Sequence, residues 1–161
     1  MRWEELGEQN CSIARALSVF GDRWTLMIIR DCFLGIKRFD EFLEGLQLSR
    51  TILTDRLNRL VEHTVLEKIP YQTKPTRYDY KLTPKGLALH PLILIMAEWG
   101  DTYYAEADGV PIIRTHKTCG EDFTSKIVCS ECGELVTPGA VSAYNNPECK
   151  REPAFKLPIA R

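Results

Sequence analysis

Four residues in the last third of the chain have the types and spacing of a metal site. His116 and Cys119 stand with two residues between them, Cys129 and Cys132 repeat that spacing, and nine residues separate the pairs. Glycine follows the second ligand of each pair, in Cys119-Gly120 and Cys132-Gly133. Paired ligands at this spacing are how a zinc knuckle turns its backbone around a metal, and glycine supplies the conformational freedom the turn needs. Two knuckles would close one tetrahedral site of three cysteines and a histidine. Its role would be structural, because four protein ligands leave no open position for chemistry. Metal ligation would also stabilise a segment too small to hold a core of its own. The competing reading is a redox-active or incidental Cys129/Cys132 pair, with His116 at the surface. A nucleoside-deaminase centre does not fit. It needs His-x-Glu and a proline before the cysteine pair, where this chain has His116-Lys117-Thr118 and Val128-Cys129. Cys149 is a possible substitute ligand, although it has no paired neighbour.

A second chemistry is recognition. In Ser49–Thr64 the apolar residues Leu53, Leu57, Leu60 and Val61 recur at helical spacing and make one stripe. A turn of about 100° per residue puts Thr51, Ile52, Asp55, Asn58 and Arg59 on the opposite side, with Arg56 at the edge. Ser49 precedes the pattern as a natural N-cap. A helix anchored on one face that offers Arg, Asn and Thr on the other can lie in the DNA major groove. An ordinary solvated helix is the plainer alternative. From Ser49 to Tyr78 there are six basic residues against three acids, in a chain whose formal charge is −1. That asymmetry favours a partner on one side, since DNA binding requires a local basic surface and not a basic chain.

Composition bounds the rest. With 161 residues, 44% hydrophobic and 27% charged, the chain reads as one globular domain with a small appendage. Its N-terminus carries acids where a secretory segment would be apolar, and the longest apolar run, Leu92–Ala97, is too short for a bilayer. A cytoplasmic protein follows, with no membrane partner and with its six cysteines as thiols or metal ligands.

The elements that position these groups are short helices and one hairpin. Ser12–Phe20 reads as a helix stopped by Gly21. Asp22 caps a second, from Arg23 to about Leu34, with Trp24, Met27, Ile28 and Phe33 on its apolar face and Cys32 in the core. Phe39, Phe42, Leu43 and Leu46 mark a third helix from about Arg38, which leads through Gln47-Leu48 into the Ser49 helix. Two short helices joined by a tight turn, the second polar outside, are a helix-turn-helix. Strands Leu66–Tyr71 and Arg77–Leu82 follow around Gln72–Thr76, with Pro70 pointing to an edge position. Such a hairpin is a wing whose Lys74 and Arg77 face the minor groove or phosphates, or else a plain surface hairpin. Thr83-Pro84 opens a final helix, broken near His90-Pro91, that runs to about Tyr104. It is apolar nearly all round, which suits an oligomer interface better than an ordinary core helix.

Cys11 with Gly21–Thr25, Gly35–Phe42, Ser49 with Leu53 and Arg56-Leu57, and Tyr78–Gly86 stand in the order and spacing of one family. Over roughly residues 9 to 105 the chain resembles the HxlR-type winged helix-turn-helix regulators, a branch of the MarR-like transcription factors. The resemblance implies a homodimer that binds double-stranded DNA, with the terminal helices forming the dimer. It implies recognition-helix roles for Ser49, Arg50, Thr51, Thr54 and Arg56, and wing roles for Lys74 and Arg77. The helical wheel adds base-edge roles: Arg56 or Arg59 to guanine, Asn58 to adenine, Ile52 to a thymine methyl. Arg50 falls nearer the core side and is assigned, with Lys74 and Arg77, to phosphates. A symmetric dimer would place its two helices about 34 Å apart on an inverted repeat. Some regulators of this kind sense oxidants or electrophiles through a cysteine at the position of Cys11; the alternative is a small buried residue at the dimer interface.

The expected fold is therefore mainly α with a β-hairpin wing over 9–106, plus a β-rich, zinc-ribbon-like extension over 107–161. The expected function is sequence-specific transcriptional regulation by a homodimer, with an oxidant or small-molecule effector. The rival is a protein-interaction module that uses a zinc ribbon and an apolar helix. An enzyme is disfavoured, since no Ser-His-Asp arrangement or glycine-rich phosphate loop is present.

Overall fold

Capping decides where the helices begin. In the computed structural model, which describes residues 3–154, the elements are α1 (Trp3–Glu8), α2 (Ser12–Phe20), α3 (Arg23–Phe33), α4 (Phe39–Leu46), α5 (Arg50–Glu62), β1 (Leu66–Thr73), β2 (Thr76–Leu82), α6 (Pro84–Leu87) and α7 (His90–Tyr104). Asp22 caps α3, its Oδ1 accepting from the Trp24 and Thr25 amides at 3.1 Å each. Ser49 Oγ accepts from the Ile52 amide at 3.3 Å and caps α5. Glu41 reaches back to accept from the Arg38 amide at 3.0 Å, which fixes the entry to α4. Gln47, in the left-handed region at φ 51°, ends α4 and turns the chain toward α5. The expected helix-turn-helix is α4–α5.

The chain divides into two compact units, residues 3–89 with 144–154, and His90–Ala143. In the first, Ile28, Ile29, Phe42, Leu53, Leu57, Leu60, Val65 and Leu66 form a buried core. On α3 the innermost residues are Thr25, Ile28, Ile29 and Asp31, while Trp24, Met27 and Phe33 of the expected apolar face are half-buried. Cys32, expected in the core, is likewise half-buried. Burial, with the Asp31 carboxylate beside it, pushes its thiol up to about 12 and leaves it inert at neutral pH. β1 and β2 pair antiparallel from Leu66↔Leu82 to Thr73↔Thr76, with a shift of register between Pro70 and Gln72. The strands therefore run further toward the tip than the sequence indicated. Gly86 of α6 lies so close to the Val65 carbonyl that a β-carbon there would collide with it.

The helix α1 was not anticipated; its six residues carry no cap signal, and it packs on α2. The compact units also part at Leu89/His90, whereas the sequence suggested a boundary after residue 106. In the second unit α7 buries none of its residues. Leu92, Met96, Trp99, Tyr103 and Tyr104 are all exposed, and the Trp99 ring meets those of Tyr103 and Tyr104 at a tilt, with centroids 5.5 and 5.2 Å away. After α7 the extension is not rich in strand: among the described residues it holds isolated bridges and one 3-10 turn, Pro138–Ala140. No helix among the described residues is long and apolar enough to cross a membrane.

Asp22 also carries a pH signature. Burial raises the pKa of its carboxyl, but hydrogen bonds from the Thr25 hydroxyl and amide and the Arg56 guanidinium outweigh burial and hold it below its ordinary 3.8. A lowered carboxyl stabilises the fold fully above the ordinary value, and that contribution disappears as pH falls through the lowered folded-state value. Asp22→Ala should cost about 1–2 kcal/mol at neutral pH by the loss of the cap alone. Asp22→Asn keeps an acceptor and should lose less, and urea midpoints should show its gap to the native chain closing as acid protonates Asp22.

Candidate nucleic-acid interface

The outer face of α5 differs in one respect from the helical wheel. Arg50, Thr51, Ile52, Thr54, Asp55 and Asn58 are exposed, with Ser49 exposed at the cap. Arg56 and Arg59 turn inward from the edges of that face. Arg56 Nε donates to Asp22 Oδ1 at 2.9 Å, its side chain only 24% exposed, and a second nitrogen contacts Asp55. Arg59 donates to the carbonyl of Ser18 at the end of α2. Both arginines thus fasten α5 to the helices beneath it. A one-residue-per-100° projection cannot reveal this, because the partners lie 34 and 41 residues away.

The wing lies beside the start of this helix. Asp79 of β2, buried, takes Lys37 Nζ at 3.3 Å and Arg38 Nε at 3.5 Å, and the Tyr80 amide donates to the Lys37 carbonyl at 2.7 Å. These contacts fix the ribbon to the α3–α4 link. Lys74 and Arg77 are exposed near the tip. Arg50, with its side chain 70% exposed, and Arg77 approach Asp40 at 3.5 and 3.8 Å. A cavity of about 550 Å³ opens between α4, α5 and the ribbon, lined among others by Arg38, Arg50, Arg77, Tyr71 and Tyr78. Arg38 stacks over Tyr71 at 4.6 Å. Sequence reasoning missed Arg38 and Tyr71; the basic step Lys37-Arg38 ahead of α4 was the available signal. The arrangement gathers three guanidinium groups at one mouth, as phosphate contacts require.

In the second unit the two ligand pairs adopt the same turn. His116 N donates to Glu121 O and Gly120 N to His116 O, both at 2.8 Å. Cys129 N to Glu134 O, 2.8 Å, and Gly133 N to Cys129 O, 2.9 Å, repeat the pattern. Gly120 and Gly133 hold φ of 79° and 76°, a region open to glycine. His116 Nδ1 lies 3.2 Å from Cys119 Sγ. The backbone amides of Cys132 and Glu131 hold the Cys129 thiol below its ordinary value. The expected tetrad is not assembled, however: among the described residues no three His, Cys, Asp or Glu side chains are gathered to hold a metal ion. Each pair is fixed within its own short hairpin, bridged at Thr115↔Asp122 and Val128↔Leu135. Cys11, in the first unit, is the half-exposed N-cap residue of α2.

Residues 19–108 match the model of the HxlR-like helix-turn-helix family. An uncharacterized HTH-type transcriptional regulator of Mycobacterium tuberculosis, Rv3095, is 38% identical over 139 residues, which is 86% of this chain and 88% of that protein. The structure of PA1607, described as a transcription factor, superposes with a TM-score of 0.79 at 31% identity, covering 88% of this chain and 99% of that one. Both likenesses extend past the winged region into the C-terminal extension. The redox regulator HypR in its oxidized form matches at TM-score 0.55 and 29% identity, covering 60% of this chain and 100% of that one.

The inward turn of Arg56 separates two classes of residue on α5. Arg56→Ala leaves Asp22 without its cationic partner and should lower the unfolding free energy measurably, whereas Asn58→Ala, at an exposed site, should stay within about 0.5 kcal/mol of the native chain. Parallel urea titrations distinguish them.

Proposed function

The chain belongs to the HxlR-like helix-turn-helix family, and on that premise we propose that it binds an inverted-repeat operator as a homodimer, reading bases with α5 and gripping phosphates with the wing. It is a transcriptional regulator of the helix-turn-helix type. The observation that carries the reading is the exposed row Thr51, Ile52, Thr54, Asp55 and Asn58, set beside Arg38, Arg50 and Arg77 on a helix whose other side is locked into the core. Asn58 is suited to adenine and Ile52 to a thymine methyl. Arg50, Lys74, Arg77 and Arg38 serve phosphates. Arg56 and Arg59 act as positioning residues. The unburied apolar length of α7 is the surface on which a second copy would pack, burying Leu92, Met96 and Trp99.

Likeness to a protein named as a redox regulator supports a thiol response, for which Cys11 at the head of α2 is the candidate. We also propose that His116, Cys119, Cys129 and Cys132 take one Zn2+ ion, which draws the two knuckles onto a common centre. The repeated turn, built twice from different sequences, supports this reading. The ion would be structural, holding two hairpins that have little core.

With duplex DNA recovered by selection from a random library, Asn58→Ala should cost about 1–3 kcal/mol and relax the preference at one position of each half-site. Lys74→Ala should weaken all sequences alike and reduce the slope of log K against log salt by about 1. Metal analysis of protein purified reduced and without chelator should find one zinc per chain, and Cys129→Ser should lose it. Metal-free protein of unchanged thermal stability would remove the zinc proposal.

A further inference from the structure

We propose that Cys149 is a second reactive thiol of this chain, which reacts with a hydroperoxide and then forms a disulfide with Cys11 across a cavity at the head of α2. The two thiols line one cavity of about 480 Å³, together with Asn10, Arg15, Tyr144 and Arg151. Residues 144–154 belong to the same compact unit as α1–α6, so this cavity lies within a single packed body.

A hydrogen-bonded knot holds the returning segment in place. Asn10 Nδ2 donates to the Arg151 carbonyl at 2.7 Å and to Cys149 Sγ at 3.5 Å. Arg15 donates to Asn10 Oδ1 at 2.7 Å and to the Gln9 carbonyl at 3.2 Å. Arg151 donates to the Glu8 carbonyl at 3.0 Å, and the Ala154 amide to the Asn10 carbonyl at 3.4 Å. Asn10 is thus bonded to Cys149 by its side chain and to Cys11 by the peptide. Cys149 is exposed and Cys11 half-exposed, so a small oxidant reaches both. The Asn10 amide, the Arg151 backbone and the Arg15 and Arg151 guanidiniums hold the Cys149 thiol below its ordinary value. Cys32, pushed up to about 12, has the opposite environment.

The chemistry runs in two steps. The Cys149 thiolate attacks the outer oxygen of the hydroperoxide. An S–O bond forms, the O–O bond breaks, sulfur loses two electrons, and the peroxide, taking up a proton, leaves as an alcohol. The Cys11 sulfur then attacks the sulfenic acid. An S–S bond forms, the S–O bond breaks, and hydroxide leaves with the Cys11 proton as water. The disulfide would tether the C-terminal segment to the N-cap of α2, whose far end receives Arg59 of the recognition helix. Only this effect on DNA rests on the regulator reading; the disulfide itself stands apart from it.

Reduced full-length protein treated with one equivalent of cumene hydroperoxide, then alkylated, is examined by intact mass and non-reducing peptide mapping. The expected result is a chain lighter by one pair of hydrogen atoms, with Cys11 and Cys149 joined in one monomeric species. Cys149→Ser should abolish that link, and Cys11→Ser should trap a sulfenic acid at Cys149 that dimedone labels. A link between two Cys11 residues, a link confined to the knuckle cysteines, or a Cys149 still open to alkylation after peroxide would overturn the proposal. DNA binding of the reduced protein, measured alongside, reports on the regulator reading separately.

Discussion

The carboxylate of Asp22 holds together two parts of the chain that the sequence keeps far apart. It caps α3 through the Trp24 and Thr25 amides and accepts from the Thr25 hydroxyl and from Arg56 on α5. Taking a carboxylate and a guanidinium out of water is costly, and the cost is offset only where the remaining lone pairs are satisfied. Here the helix amides and the hydroxyl supply those partners. With Arg56 tied on one side and Arg59 held at the end of α2, α5 has one permitted rotation. Leu53, Leu57 and Leu60 are buried, and the short polar residues Thr51, Thr54, Asp55 and Asn58 face solvent with Arg50 and Ile52.

That constraint explains which parts of the fold were legible in the sequence. Caps act through bonds to the next few residues, so Asp22, Ser49 and Thr83 could be read directly, as could the apolar stripe of α5. The direction of Arg56 could not, because it depends on a carboxylate on another helix, and a helical wheel contains no neighbours. The wing was legible as a hairpin. Its attachment through Asp79 to Lys37 and Arg38 was not, since an acid in an exposed-looking Tyr-Asp-Tyr step gives no sign of burial. The short α1, whose six residues show no strong period, left no signal at all.

The C-terminal part reverses the balance. Its motif was plain, and each His/Cys-x2-Cys-Gly turn formed with the same hydrogen bonds and the same positive-φ glycine. Local chemistry dictates that much. Bringing the two turns to one point is a long-range event for which these hairpins have little apolar core. The electrostatics of the winged unit follow a similar logic: a nearly neutral chain concentrates Arg38, Arg50 and Arg77 at one cavity, with Asp40 lying between two of them.

Whether α5 is aimed by Arg56 or reads DNA with it can be decided by one comparison, the base preferences selected from a random DNA library by the native chain and by Arg56→Met. If Arg56 anchors the helix, the variant should recover the same inverted repeat with lower affinity at every position. Loss of a guanine preference at a single position in each half-site would contradict this account and make Arg56 a base contact.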